Sequence, residues 1–248
     1  METITSRKNS RVQALRALGR NKAYRREQGL FLCDGEKLLS EALANGADIA
    51  EIYLRGAKPA GNMPEVPVYS LSEDVFDYAS PLEHSPGPLF TVRAKPLPES
   101  VRPERVIVLE NVQDPGNVGT VIRTAAALGF DSVILCGACA DVYSPKTARA
   151  TMGAIFRENI VRMDIAAAAE YIHSRGMKLY GAALSERAAD IRTAELNNAV
   201  VAIGSEGRGL SAELLSLCDG ELIIPMTPGS ESFNAAIAAA IVMWEIVR

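Results

Sequence analysis

Three polar clusters in the second half of the chain each follow an apolar run. The first is Glu110-Asn111-Val112-Gln113-Asp114-Pro115-Gly116-Asn117-Val118-Gly119-Thr120-Val121-Ile122-Arg123-Thr124, directly after Val106 to Leu109. Asp-Pro-Gly is turn chemistry, and polar side chains at the carboxyl end of a buried strand stand where open α/β sheets take their ligands. Arg123 sits among Val121, Ile122 and Ala125 to Ala127. A guanidinium there is either tied down by an ion pair or aimed at an anion, and taken alone the ion pair is the plainer reading.

The second cluster, Gly204-Ser205-Glu206-Gly207-Arg208-Gly209-Leu210-Ser211, follows the run Val200 to Ile203. Three glycines within six residues let backbone groups approach a ligand closely. The order Gly-x-x-Gly-x-Gly is not the dinucleotide-binding fingerprint, and a plain strand-to-helix connection would serve equally well. The third cluster, Ile223-Ile224-Pro225-Met226-Thr227-Pro228-Gly229-Ser230-Glu231-Ser232-Phe233-Asn234, runs into the apolar segment Ala235 to Trp244. Ser232 and Asn234 could simply be helix caps. The helix after them is apolar on nearly every side, so it must be covered by the sheet on one side and by a partner subunit on another.

The elements that must position these clusters alternate. Beyond residue 105, strands are expected at Val106 to Leu109, Ser132 to Leu135, Lys178 to Ala183, Val200 to Ile203 and Leu222 to Ile224. Helices are expected at 118–128, 165–173 and 212–217. Continuous apolar strands separated by helices predict a mostly parallel sheet with helices on both faces. Residues 94–104 hold three prolines, which neither a helix nor a central strand accommodates, and the domain boundary is placed there. The division is a first domain at 1–96 and a second at 105–248. In the first, Val12, Leu15 and Leu18 recur at helical spacing after Ser10, read as an N-cap. Further elements are expected at 30–33, 36–44, 49–54, 66–69, 72–78 and 89–93.

The chain's 26 Lys and Arg against 30 Asp and Glu give a net charge of −4, yet Met1 to Arg26 carries eight basic residues against Glu2 alone. A basic arm on an acidic chain reads either as a solvated helix face or as a footprint for phosphate backbones. The N-terminus has no apolar signal region, and the longest apolar run is too short to span a bilayer. Cys33, Cys136, Cys139 and Cys218 include one CxxC but no completed zinc site, so free thiols of a cytoplasmic protein are expected, without a metal. His84 and His173 have no partner pattern.

Together, in this order and spacing, the clusters resemble the three motifs of the SpoU (TrmH-type) RNA 2'-O-ribose methyltransferases of the SPOUT superfamily. Asn-x-Gly-x-x-x-Arg-Thr is met by Asn117, Gly119, Arg123 and Thr124. Gly-Ser-Glu-Gly-x-Gly-Leu-Ser is met from Gly204 to Ser211. Ile-Pro-Met followed by Ser-Leu-Asn is met with Phe233 in place of leucine. The first part of the chain resembles the L30e-like α/β substrate-binding domain found in many such enzymes. The resemblance implies a deep trefoil knot in the C-terminal domain, S-adenosyl-L-methionine as methyl donor, and RNA as substrate, ribosomal rather than transfer RNA. It also implies a cofactor pocket formed by Gly204, Ile224, Met226 and Phe233. Arg123, Asn117, Glu206, Ser232 and Asn234 become the catalytic set. Arg7, Lys8 and Arg11, with Lys146 and Arg149 from a further family segment, become RNA contacts. Neither membrane nor DNA is an expected partner, and a homodimer through the C-terminal domain is. The rivals are a catalytically silent ribosome-assembly factor on the same fold, which would have no use for five such residues, and a nucleotide-dependent oxidoreductase, for which the Gly-x-Gly-x-x-Gly turn is missing.

Overall fold

The computed structural model describes residues 2–56, 65–94, 104–227, 229 and 232–248. Residues 95–103, most of the proline-rich stretch chosen as the boundary, lie outside them. Two compact units form: Met1–Pro96 with Asp141–Arg157, and Leu97–Ala140 with Glu158–Arg248.

The first unit contains β1 (Glu2–Ile4), α1 (Ser10–Arg20), α2 (Lys22–Gln28), β2 (Leu30–Asp34), α3 (Glu36–Ala44), β3 (Ile49–Arg55), β4 (Val68–Leu71), α4 (Glu73–Ala79) and β5 (Leu89–Arg93). Its mixed sheet runs β1-β4-β3-β5-β2, with β5 antiparallel to both neighbours. Asn9 rather than Ser10 caps α1, its side chain accepting the Arg11 N–H at 2.9 Å. The helix buries Val12, Leu15 and Leu18 against Leu32, Tyr53, Leu71 and Phe76. Helix α2 escapes a periodicity reading because Lys-Ala-Tyr-Arg-Arg-Glu-Gln has no apolar stripe. Asn21 starts it by accepting the Tyr24 N–H, and its inward anchor is a charge. The buried Arg25 donates to the Leu18 carbonyl at 2.7 Å and to Asp141 at 2.6 Å.

The second unit begins with β6 (Val106–Glu110), α5 (Pro115–Leu128) and β7 (Ser132–Cys136). The chain then supplies the first unit with Asp141–Arg157, which carries α6 (Pro145–Ala150) and a 3-10 turn at Ala154–Phe156. Within that unit Tyr143 packs tilted against Phe31 and Phe156 stacks on it, with centroids 4.8 and 6.4 Å away, and Ala148 joins the core around Phe90 and Ile52. Arg157 pairs with Glu41 at 2.9 Å. No composition break marks this excursion; what holds it is aromatic contact and two ion pairs, which periodicity does not report.

The second unit resumes with β8 (Ile160–Arg162), α7 (Ile165–Ser174), β9 (Lys178–Ala182), β10 (Ala189–Asp190), β11 (Ala199–Ile203), α8 (Ala212–Leu217), β12 (Gly220–Ile223) and α9 (Ala235–Val247). Its sheet, β10-β12-β9-β11-β6-β7-β8, is parallel at every pairing. Val106, Val108, Val200 and Ala202 face α7 and α8. The alternate residues, Ile107, Leu109, Val201 and Ile203, are equally buried and must point to the other face, where α5 and α9 pack. Both faces are therefore covered, as the apolar runs predict.

Arg25→Ala would leave the Asp141 carboxylate without its guanidinium and should cost the first unit about 3 kcal/mol. Amide exchange across Leu30–Asp34 and Tyr143–Phe156, read by mass spectrometry, should then quicken by about a hundredfold. Unchanged exchange would show that the pair stabilises nothing.

Candidate active site

Because β6, β11 and β12 run parallel, their carboxyl ends reach one edge of the sheet, and each of the three polar clusters begins there. At the first, Asp114 caps α5 by accepting the Asn117 N–H at 2.9 Å, with Pro115 at the first helical position. The cap sets the start of the helix and so directs the Asn117 side chain. Its Nδ2 donates to Glu206 Oε1, and its Oδ1 accepts from Asn234 Nδ2 at 3.0 Å. Asn234 also caps α9, accepting the N–H groups of Ala236 and Ile237 at 2.9 and 3.3 Å. Three loops separated by some ninety and thirty residues of chain are thus joined by one hydrogen-bonded row.

The glycine cluster closes on itself. Ser205 and Gly209 exchange backbone hydrogen bonds at 3.2 and 2.9 Å, and Gly209 has φ +66°. A Cβ on Gly204 would lie 2.2 Å from the Gly209 carbonyl carbon, a backbone atom that cannot swing away, so only glycine fits. Around Gly207 such an atom would meet nothing within 4 Å. The loop's far end is held by Glu110, a residue that sequence reasoning treats only as a strand end. Fully buried, Glu110 accepts the Ser211 N–H at 2.8 Å on one oxygen, while the other has no hydrogen-bond partner among the described residues. Ser211 in turn caps α8.

A cavity of about 580 Å³ opens between these loops, lined by Gly204 to Leu210, Ile224, Met226, Ser232 and Phe233. All four expected cofactor residues line it, together with Glu206 and Ser232 of the expected catalytic set. Sequence reasoning missed its remaining wall, Ala182 to Ser185 with Arg187. The signal was available, since these residues leave the carboxyl end of β9 just as the motifs leave theirs. Glu221 fixes that wall, accepting from Ser185 Oγ at 2.5 Å and Arg187 at 3.1 Å. Arg208, at the motif's variable position, lines the cavity with no ion pair or hydrogen bond among the described residues.

Arg123 is not brought to this cavity. Six residues after Asn117 it lies about 9 Å along the helix and roughly 240° around it. It lines a separate groove between α5 and α9 with Thr124, Ala127, Leu128, Ala240, Ile241 and Trp244. The simple ion pair is also not found: Arg123 is exposed and has no acidic partner among the described residues. Beside it α9 exposes Trp244 at 59% and Ile237 at 50%, on one stripe seven residues apart.

The expected RNA contacts divide. In the first unit Arg7 pairs with Asp74 at 3.5 Å and lies over the Tyr78 ring, while Arg11 pairs with Glu51 and lies over Tyr69. Lys8 is exposed. On α6, Lys146 and Arg149 are exposed, and Arg149 borders a cavity of about 270 Å³ with Asp34, Lys37 and His84. Burial raises the Asp34 carboxyl above its ordinary range, against the hydroxyls of Ser85 and Ser80 that donate to it. The four cysteines are free thiols. Burial, with Cys139 and Glu110 adding, pushes Cys136 up to about 12, and burial likewise raises Cys139. His173 meets Asp219 at 3.1 Å. Among the described residues no cluster could hold a metal ion, and no helix is long and apolar enough to cross a membrane.

Comparison with known proteins agrees with this architecture. Residues 104–244 match the SpoU rRNA Methylase family model, and residues 9–89 match the MRM3-like substrate binding domain. A Bacillus subtilis (strain 168) protein named 23S rRNA (guanosine(2553)-2'-O)-methyltransferase RlmP is 33% identical over 99% of both chains. The AdoMet-bound rRNA methyltransferase of Sinorhizobium meliloti superposes with a TM-score of 0.87 at 28% identity, covering 99% of this chain and 97% of that one. The SpoU methyltransferase AviRb of Streptomyces viridochromogenes, solved with AdoMet, gives 0.87 at 26% identity over 97% of each chain. With a family model over more than half its length and three motifs meeting at one sheet edge, the chain belongs to the SpoU rRNA methylase family.

Proposed function

We propose that this protein transfers a methyl group from S-adenosylmethionine to a ribose 2'-hydroxyl of ribosomal RNA. The observation that carries the reading is the row Asn234, Asn117, Glu206, whose Glu206 lines the same cavity as Gly204, Ile224, Met226 and Phe233. The RNA type follows the relatives, two of which are named 23S rRNA 2'-O-methyltransferases.

The cavity suits the methyl donor. Its volume is that of a small-molecule site, and its wall is mostly apolar, with a few polar groups among its lining residues. Ile224, Met226 and Phe233 would hold the flat heterocycle, and the bare backbone at Gly204 and Gly209 would let polar edges approach the main chain. When bound, the donor supplies a methyl group on a positively charged sulfur. The protein's task is then to align a ribose oxygen and to stabilise the negative charge that develops on it. Glu206 has one carboxylate oxygen engaged by Asn117, which leaves the other to accept a ribose hydroxyl and orient it.

Arg123 is the cation for the phosphate and the developing alkoxide; a guanidinium, protonated far above neutral pH, is a poor base but a good fork for anionic oxygens. Since Arg123 faces the α5–α9 groove, we place its action in a homodimer. A second copy covering Ile237 and Trp244 would make the site a composite of two chains, with Arg123 on the shared face. The first unit engages the RNA.

Deleting the gene should remove 2'-O-methylation at one or a few ribosomal RNA positions, mapped by nucleotide-resolution sequencing; an unchanged map with recombinant protein also inert on unmodified 23S rRNA would refute the assignment. Arg123→Lys keeps the charge and loses the fork, so turnover should fall about a hundredfold with AdoMet affinity retained. Near-normal turnover would remove Arg123 from this role. Gly204→Ala should abolish calorimetric binding of S-adenosylhomocysteine while Gly207→Ala preserves it, and equal affinity in both would show that the loop does not form the pocket.

A further inference from the structure

The first 26 residues hold eight cations against a single acid, and the structure separates them into two groups. Four are engaged inside the first unit. Arg7 meets Asp74, Arg11 meets Glu51, Arg16 donates to the Tyr78 carbonyl at 2.6 Å over the Tyr78 ring, and Arg25 is buried against Asp141. The other four, Lys8, Arg20, Lys22 and Arg26, are exposed and make no side-chain hydrogen bond or ion pair among the described residues. Lys8 stands at the opposite end of α1, an eleven-residue helix about 16 Å long. Arg20, Lys22 and Arg26 are together at the junction where Asn21 ends α1 and begins α2.

Resting on the rRNA reading above, we infer that Arg20, Lys22 and Arg26 form the surface that binds the phosphate backbone of the RNA, in place of Arg7 and Arg11. Lys22 and Arg26 are four residues apart and so project from one face of α2, where like charges disfavour the helix unless an anion lies between them. Helix α2 cannot rotate to disperse them. Arg25, about 100° from Arg26 around the helix, is buried on the Leu18 carbonyl and Asp141, so a buried bond fixes the rotation of α2 and leaves Lys22 and Arg26 exposed. Elsewhere in the same segment Arg7, Arg11 and Arg25 have acids beside them and Arg16 has a carbonyl, and only at the junction do three cations without a counter-charge among the described residues stand together. An anionic membrane is the poorer partner. A surface helix needs an apolar face to insert, and the exposed large apolar side chains, Leu43, Leu184, Phe233, Ile237 and Trp244, all lie outside residues 10–28.

The proposal predicts a change in salt dependence. Each phosphate contact contributes roughly 0.7 to 0.9 to the slope of log affinity against log salt concentration, so R20Q/K22Q/R26Q should lower that slope by about two. The probe is in-vitro-transcribed 23S rRNA in filter binding between 50 and 300 mM salt, roughly the span over which such contacts are screened. R7Q, which removes a cation already paired, should leave the slope within error of the parent. Affinity for S-adenosylhomocysteine and amide exchange across Leu30–Asp34 should be equal in all three proteins, which confirms that the exposed substitutions leave both units folded. If the triple variant keeps the parent's slope, the junction is not the RNA surface and the methyltransferase reading stands. If the parent itself binds S-adenosylhomocysteine but shows no salt-dependent affinity for the transcript, both this surface and the rRNA substrate are refuted.

Discussion

A carboxamide at position 117 is the piece on which the site's geometry depends. It has to donate to the Glu206 carboxylate and accept from the Asn234 amide at the same time. Aspartate there could not donate and would repel Glu206; serine would be too short to span both partners. The amide also stands at a cap. Asp114 fixes the backbone N–H of Asn117, and Asn234 is fixed by two N–H groups of α9, so the middle of the row and one of its ends are anchored to helix starts, while Glu206 is carried by the glycine loop. A polar row held in that way is preorganised, and preorganisation is what a methyl transfer with no covalent protein chemistry requires.

Behind the row the constraint passes to the backbone. Gly204 allows Gly209 to fold back within contact distance, and Glu110 ties the end of that turn to the central strand through Ser211. Glu110 is costly in isolation, a buried carboxylate with one oxygen unpaired among the described residues. Its placement makes sense as a brace, because the loop it holds, Gly204 to Leu210, is one wall of the cavity.

The sheet of the second unit was legible because its strands are buried on both faces and read as uninterrupted apolar runs; helices 36–44 and 212–217 were legible as helical stretches between strands. Motif order named residues that the structure brings together in part: Asn117, Glu206 and Asn234 share one hydrogen-bonded row, whereas Arg123 lines a separate groove. Less legible were features set by single long-range contacts. Helix α2 depends on a buried Arg25 whose partner lies 116 residues away, and β10 is two residues long. The excursion of 141–157 into the first unit depends on aromatic packing against Phe31. Neither periodicity nor composition carries information on which distant side chain a given arginine or phenylalanine meets.

Arginines make the point most sharply. From sequence, Arg123 amid alanines reads as a residue in need of a salt bridge, and Arg11 in a basic arm reads as a residue awaiting phosphate. The structure reverses the two: Arg11 is engaged by Glu51 and Tyr69, while Arg123 has no acid among the described residues and faces a groove beside an exposed tryptophan. Charge counting is blind to this because a salt bridge removes a cation from the surface field without changing the total. A chain of net charge −4 can therefore present a locally cationic face wherever its acids are engaged elsewhere. Whether an arginine serves stability is decided by which acid its fold brings within reach: Arg11 has Glu51, whereas Arg123, exposed and without an acid among the described residues, is left to solvent or to an incoming anion.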